Sequence, residues 1–266
     1  MEVSARDLGE GVLMPMLGLG VWQAAAGAET RQAVEWALEA GYRHIDTATY
    51  YRNEADVGAA IAASGIPREE IFVTTKWMPA LRSAPSEIRR SLERLDMAYV
   101  DLYLIHWPLP GRIRNSWSAF EAIREQGLAR AIGVSNYGSD RLKKLLDSAT
   151  VPPAVNQVLF SPFHYRKALL ELCDRREVVL EAYSPLERGK ALGDATIVEI
   201  AGRIGREPAQ VMLRWGIQHD AVVIPKSIHR ERIVSNARIF DFELSSDDMR
   251  TLDALDRTRG TGSARR

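Results

Sequence analysis

Short apolar runs alternate with amphipathic stretches along most of the chain. Runs of strand character fall at Leu17–Gly20, His44–Ala48, Ile71–Lys76, Val100–His106, Ala131–Ser135, Ala154–Phe160, Val178–Tyr183 and Val222–Pro225. Six of the seven intervals between their starts are about 23–31 residues, the length of one strand–helix unit, and the last is longer. The intervening segments carry a helical period. Ala33, Val34, Ala37 and Leu38 fall on one helix face, and Leu142, Leu145 and Leu146 repeat the pattern behind Ser139, which is expected as an N-cap.

Eight strands alternating with helices predict an α/β protein whose parallel sheet is buried on both faces. Closing that sheet into a (β/α)8 TIM barrel removes its edges, so a single barrel domain over residues 1–266 is expected, with a polar tail from about residue 257. An open doubly wound sheet is the competing architecture. It calls for Gly-x-Gly-x-x-Gly after the first strand, whereas the chain reads Gly18-Leu19-Gly20-Val21-Trp22-Gln23, with glutamine in the third position. In a barrel, the C-terminal strand ends share one mouth. Here those ends carry Trp22, Asp46, Lys76, Trp77, His106, Trp107, Ser135, Asn136, Gln157, Tyr183 and Lys226, a polar and titratable set that suits a site better than a core.

Charge narrows the partners. The 35 basic and 35 acidic side chains cancel, so no global field favours nucleic acid or an anionic membrane. Cys173 is the one cysteine, which fits a reducing cytoplasm, and no apolar run is long enough for a signal core or a membrane span. A cytoplasmic monomer acting on a small molecule is expected. The histidines lack metal-ligand spacing, and no metal is expected.

Several segments then form an ordered set. Gly41-Tyr-Arg-His-Ile-Asp46-Thr-Ala-Thr-Tyr-Tyr51-Arg-Asn-Glu54 is followed by Thr74-Thr-Lys76-Trp77 and by Val100-Asp-Leu-Tyr-Leu-Ile-His106-Trp-Pro108. Next come Gly133-Val-Ser135-Asn136, Val155-Asn-Gln157, Ile224-Pro-Lys226-Ser227 and Arg232-Ile-Val-Ser-Asn236. In this order and at barrel spacing, the chain resembles the aldo-keto reductases from about residue 16 to 256, the shorter bacterial type in particular (diketogluconate and methylglyoxal reductases). The resemblance implies NADPH-dependent reduction of aldehydes or ketones by a tetrad of Asp46, Tyr51, Lys76 and His106, Tyr51 giving the proton. Tyr50 is a competitor next to it; the family spacing of five residues after the aspartate favours Tyr51. Another class, a redox-sensing binding protein on the same barrel, keeps the same tetrad.

Elementary chemistry gives these four residues tasks. Reducing a carbonyl takes a hydride on carbon and a proton on oxygen, and a free tyrosine, with pKa about 10, is a poor acid at neutral pH. An ammonium about 4 Å away, at an effective dielectric of about 20, favours the phenolate by about 4 kcal/mol, roughly three pKa units. Lys76 is therefore expected to bring Tyr51 towards neutrality, Asp46 to hold Lys76, and His106 to donate to the carbonyl oxygen.

The resemblance further implies that Ser135, Asn136 and Gln157 hold the nicotinamide carboxamide and that Tyr183 stacks on its ring. Ser184 and Leu186 would border the pyrophosphate. Lys226, Ser227 and Arg232 would clamp the 2'-phosphate, with Asn236 on adenine. His229 and Ser235 depart from the family pattern, where a small side chain and an acid are common; loss of the acid weakens adenine selectivity, and a neutral His229 leaves room for NADH as a secondary cofactor. Trp22, Trp77 and Trp107, with His106, are expected to line the substrate pocket. The Pro108–Trp117 segment and the tail after Leu255 look too short or too polar to form a tight lid.

Overall fold

The computed structural model describes residues 4–79, 82–108 and 113–258, with the side chains of residues 113–115 left aside. The segment 109–112 and the tail beyond residue 258, which bear on the expected lid, lie outside the described residues. A two-stranded antiparallel hairpin comes first, β1 (Ala5–Asp7) and β2 (Leu13–Pro15), turning through Gly9 (φ 92°) and Gly11 (φ 76°). Eight parallel strands follow: β3 (Leu19–Gly20), β4 (His44–Asp46), β5 (Phe72–Trp77), β6 (Val100–Ile105), β7 (Ala129–Ser135), β8 (Val155–Leu159), β9 (Val179–Tyr183) and β10 (Val222–Ile224). Each pairs with its sequence neighbour. The last returns to the first through a parallel bridge between Leu17 and Val223, with Gly18 N–H donating to the Val223 carbonyl at 2.9 Å. The sheet therefore closes as a barrel.

Each strand-like run of the sequence overlaps one barrel strand, β5 extending one residue past its run to Trp77 and β7 beginning two residues before its run at Ala129. Helices α1 (Ala28–Glu39), α2 (Glu54–Ala63), α3 (Ala84–Leu95), α4 (Ile113–Glu125), α5 (Ser139–Leu146) and α6 (Lys167–Arg175) fill the regular intervals. The long last interval holds two, α7 (Ala195–Ile204) and α8 (Pro208–Gln218). Local chemistry separates them. Asp194 caps α7 by accepting from Thr196 N–H at 3.0 Å, Gly205 ends it at φ 66°, and Glu207 opens α8 in a capping box with Gln210, Pro208 standing in the first turn. Two further helices, α9 (Arg230–Asn236) and α10 (Ser246–Asp253), complete the chain. Ala33, Val34, Ala37 and Leu38 are buried as their spacing predicts. The expected Ser139 cap is corrected: Gly138 occupies the N-cap position with no side-chain bond, and Ser139 is the first helical residue.

The two-residue period of a strand sorts the core into two compartments. On β5, Phe72 belongs to an inner cluster with Leu102, Leu104, Ala131, Val155, Val179 and Val222, whereas Val73 and Trp77 belong to the outer cluster packed under the helices. Phe72, Thr74 and Lys76 thus face the barrel axis. The same parity places His44 and Asp46 (β4), Leu102, Leu104 and His106, Ala131, Gly133 and Ser135 (β7), Val155 and Gln157 (β8), and Val179, Glu181 and Tyr183 (β9) on the axis. The hairpin, which periodicity alone did not reveal, contributes Val12 and Met14 to the apolar inner cluster. Inside the barrel, an apolar layer at the hairpin end gives way to a polar, titratable one towards the C-terminal strand ends.

Candidate active site

The turn that carries the two tyrosines is built by its neighbours. A 3-10 turn at Thr49–Tyr51 ends in Arg52 at φ 60°, and the buried Asn53 behind it accepts from the Thr47 hydroxyl at 2.8 Å and donates to the Val21 carbonyl at 3.1 Å. Glu54 is anchored in turn by the Thr75 hydroxyl at 2.6 Å and by Arg94 at 2.7 Å. The Asn-Glu pair of the motif is thus scaffolding. It turns Tyr51 inward, where its hydroxyl lies 3.3 Å from Lys76 Nζ, and leaves Tyr50 60% exposed.

Lys76 is completely buried and donates three times, to Asp46 Oδ1 at 2.6 Å, to the Thr47 carbonyl at 2.9 Å and to the Tyr51 hydroxyl. An ammonium has three protons, so its donor capacity is used in full. Burial opposes the charge, yet Asp46, by its charge and its hydrogen bond, outweighs that penalty and raises Lys76 above the usual lysine range. His106 packs edge-on to Tyr51 at 5.5 Å, and burial, with Lys76 nearby, pushes it down to about 3, so the ring is neutral.

Tyr51 itself departs from the expectation that Lys76 brings it towards neutrality. Burial raises the phenol, Lys76 pulls it back, Asp46 opposes Lys76, and the balance stands at about 12. The counter-ion of Lys76 and the desolvation of the phenolate together outweigh the attraction of the cation alone. Tyr51 is consequently a fully protonated phenol at neutral pH, with an ammonium placed to stabilise the oxygen as the proton departs.

A cavity of about 930 Å³ opens over this group, with Trp22 and Asn236 among the residues that line it. Asp46, Tyr51 and His106 lie at one part of it. Ser135, Asn136, Gln157, Tyr183, Ser184, Leu186, Lys226, Ser227, His229, Arg232 and Asn236 line the remainder, so the candidate cofactor residues are all brought to one cavity. Their polar atoms interlock. Ser135 Oγ donates to the Gln157 carbonyl at 2.9 Å, Asn136 Nδ2 donates to Ser135 Oγ at 3.0 Å, and the Tyr183 hydroxyl donates to Asn136 Oδ1 at 2.9 Å. At the far end, Arg230 pairs with Glu39 at 3.2 Å, while Lys226 and Arg232 are exposed to the cavity and make no ion pair with any described residue.

Of the three tryptophans, Trp22 and Trp107 line the cavity and Trp107 is 51% exposed. Trp77 does not. It is buried on the opposite face of β5 from Lys76, donates its indole N–H to the Arg82 carbonyl at 2.7 Å and meets Phe120 at 5.9 Å. Its place among the pocket residues is corrected, and alternation along β5 was the signal, since Trp77 is one residue out of phase with Lys76. Tyr50, the competitor to Tyr51, also lines the cavity, and Arg188 and Glu207 do so without having been singled out. Arg188 stacks over Trp22 at 4.7 Å from a turn whose Glu187 accepts from Ser161 and contacts His164.

Residues 16–257 match the model of the aldo/keto reductase family. The chain belongs to this family. It is 44% identical to a glyoxal reductase of Bacillus subtilis over 98% of this chain and 97% of that one. It is 45% identical to a 9,11-endoperoxide prostaglandin H2 reductase of Trypanosoma cruzi over 94% of this chain and 91% of that one. A crystal structure of an aldo/keto reductase from Brucella melitensis superposes with a TM-score of 0.91 at 42% identity, covering 96% of this chain and all of the other. The protein is accordingly an NAD(P)H-dependent oxidoreductase on a single TIM barrel, resembling shorter bacterial reductases that act on carbonyl compounds.

Proposed function

We propose that the protein uses NADPH to reduce small aldehydes and ketones, dicarbonyls such as methylglyoxal among them, to alcohols, with Tyr51 as proton donor. The observation that carries this reading is the buried Asp46–Lys76–Tyr51 chain under an open cavity, with contacts of 2.6 and 3.3 Å. When bound, the dinucleotide supplies the hydride. The chain's own residues do the rest. Tyr51 Oη delivers a proton to the substrate oxygen, Lys76 stabilises the phenolate that remains, and Asp46 keeps Lys76 in place. His106, being neutral, acts as a hydrogen-bonding partner of the substrate oxygen and not as the acid.

The cavity suits the cofactor in its donor set. Ser135, Asn136 and Gln157 would hold the carboxamide, Tyr183 offers a ring face, and Ser184 and Leu186 border the middle of the groove. Lys226, Ser227 and Arg232 would meet the 2'-phosphate, a guanidinium fork plus a point charge suiting a dianion, with Asn236 beside the adenine. A phosphate answers two cations that make no ion pair among the described residues, which favours NADPH over NADH. Exposed Tyr50 and Trp107 at the mouth suit compact carbonyls better than a long, tightly enclosed substrate. The test is spectrophotometric oxidation of NADPH and of NADH with methylglyoxal, glyoxal, aromatic aldehydes and keto-sugars. Turnover with NADPH and a preference for small dicarbonyls are expected. Absence of turnover with all of these carbonyls would overturn the reading in favour of a dinucleotide-binding module.

A further inference from the structure

Glu181 is a buried acid that the chemistry above does not use. It lies on the inner face of β9, two residues before Tyr183 and therefore one layer deeper in the barrel, and it is completely shielded from solvent. His44 holds the equivalent place below Asp46 on β4, also completely buried, and Gly18 makes room for it: a Cβ there would fall 2.6 Å from His44 Nδ1.

One amide ties this layer to the tetrad. Gln157 Nε2 donates to Asp46 Oδ2 and to Glu181 Oε2, each at 2.8 Å. Two carboxyl groups thus share one NH2, and a single cation, Lys76, faces them. Glu181 Oε1 has no hydrogen-bond partner and stands 3.6 Å from His44 Nε2, which also meets the Thr74 hydroxyl at 3.2 Å. The other inward side chains of the adjoining strands, Val155 on β8 and Val222 and Ile224 on β10, bring no titratable group. Lys76 is already matched by Asp46. A second buried carboxylate would be uncompensated, and a proton on Glu181 removes that penalty. The same proton would give Oε1 a donor to turn towards the His44 ring.

We propose that Glu181 is a proton-carrying positioning residue: as a neutral acid it anchors Gln157 and leaves Asp46 as the sole counter-charge of Lys76, whereas its ionisation adds a second negative charge beneath Tyr51 and slows proton delivery. This rests on the reading of Tyr51 as the proton donor. Electrostatics agree with the geometry. Burial first, then the Asp46 charge, pushes Glu181 up to about 8, with Gln157 and Lys76 pulling it back, and a charged Glu181 in turn raises Tyr51. His44, down at about 3 through burial, stays neutral throughout and is able to accept. The sign follows. Below about pH 8 Glu181 is protonated and the Lys76 field acts on Tyr51 undivided; as pH rises through that value the acid ionises and carbonyl reduction falls.

The experiment is a pH–rate profile of kcat for methylglyoxal reduction with saturating NADPH, run on wild type, Glu181→Gln and Glu181→Ala, together with infrared spectra of wild type and Glu181→Gln over the same pH range. Raising the phenol by one unit corresponds to about a ten-fold change in its acidity, so wild-type kcat is expected to fall by up to about ten-fold between about pH 7 and about pH 9. Glu181→Gln, uncharged and of the same shape, should lose that fall. Glu181→Ala releases Gln157 and should raise the KM for NADPH, which Glu181→Gln restores. A protonated-carboxyl C=O band should be present in wild type, titrate away at alkaline pH and be missing from Glu181→Gln. A Glu181→Gln profile that superimposes on that of wild type, or wild-type spectra without the band, would overturn the proposal. If wild type turned over no carbonyl, the proposed function would fail separately, and the infrared titration would still decide whether Glu181 carries a proton.

Discussion

Lys76 meets Asp46 at 2.6 Å and Tyr51 at 3.3 Å, and the unequal distances define what it does. Most of its charge is spent on Asp46, and what reaches Tyr51 does not offset burial, so the phenol stands at about 12 in the free protein. Removing the cation with Lys76→Met should raise Tyr51 further, since burial and Asp46 both push upward and nothing pulls back. The rate of reduction should drop, and the high-pH limb belonging to the Tyr51 phenol, distinct from the one that Glu181 produces about pH 8, should move to still higher pH. A pH–rate profile checks this, and a profile unchanged in position would count against the electrostatic role even if the rate fell. Much of this site was legible in the sequence, because Asp46 and Tyr51 share one short motif and Lys76 and His106 each end a strand-like run. Glu181 was not, since its partners lie 24 residues away at Gln157 and, through the fold, on β4 and β5. Nothing local marks it apart from a charge in an otherwise apolar strand.

Elements decide which side chains reach the cavity. Period-two alternation separates Lys76 from Trp77, and the omission of that alternation at the end of β5 is what led Trp77 to be expected in the pocket. The last strand and the α9 segment gather Lys226, Ser227 and Arg232, and the Arg230–Glu39 pair removes one neighbouring cation from the set. If the two remaining cations hold the 2'-phosphate, Arg232→Ala removes a charge-assisted contact of about 1.5–3 kcal/mol and should weaken NADPH binding by roughly ten- to a hundred-fold. NADH lacks the phosphate, and its affinity should change little. Fluorescence titration of both cofactors against wild type and Arg232→Ala gives the comparison; equal losses would refute the clamp. The elements themselves were readable because each barrel strand is a short apolar run between helical patterns. The two-helix insertion before β10 registered only as a long interval, although Asp194, Gly205 and Pro208 mark its boundaries.

The whole molecule is a barrel with one end apolar and the other reactive. The β1–β2 hairpin contributes Val12 and Met14 to the inner cluster, a contribution that sequence periodicity could not supply because the strands are three residues long and pair only with each other. Met14 is fully buried, so Met14→Ala should destabilise the protein by about 2–5 kcal/mol through lost packing and a residual cavity, seen as a lower midpoint in thermal or denaturant unfolding. Activity per folded molecule should stay near that of wild type, because the tetrad sits at the other end. The proposed chemistry depends most directly on the tyrosine that the fold turns inward. Single-turnover and steady-state reduction of methylglyoxal by NADPH should be compared for wild type, Tyr51→Phe and Tyr50→Phe, with NADPH affinity measured alongside. Tyr51→Phe should lose about 10²–10⁴-fold in kcat, the usual contribution of a positioned general acid, while binding NADPH within a few-fold of wild type, and Tyr50→Phe should retain most turnover. A Tyr51→Phe enzyme that kept more than about a tenth of wild-type kcat would contradict the assignment of Tyr51 as proton donor.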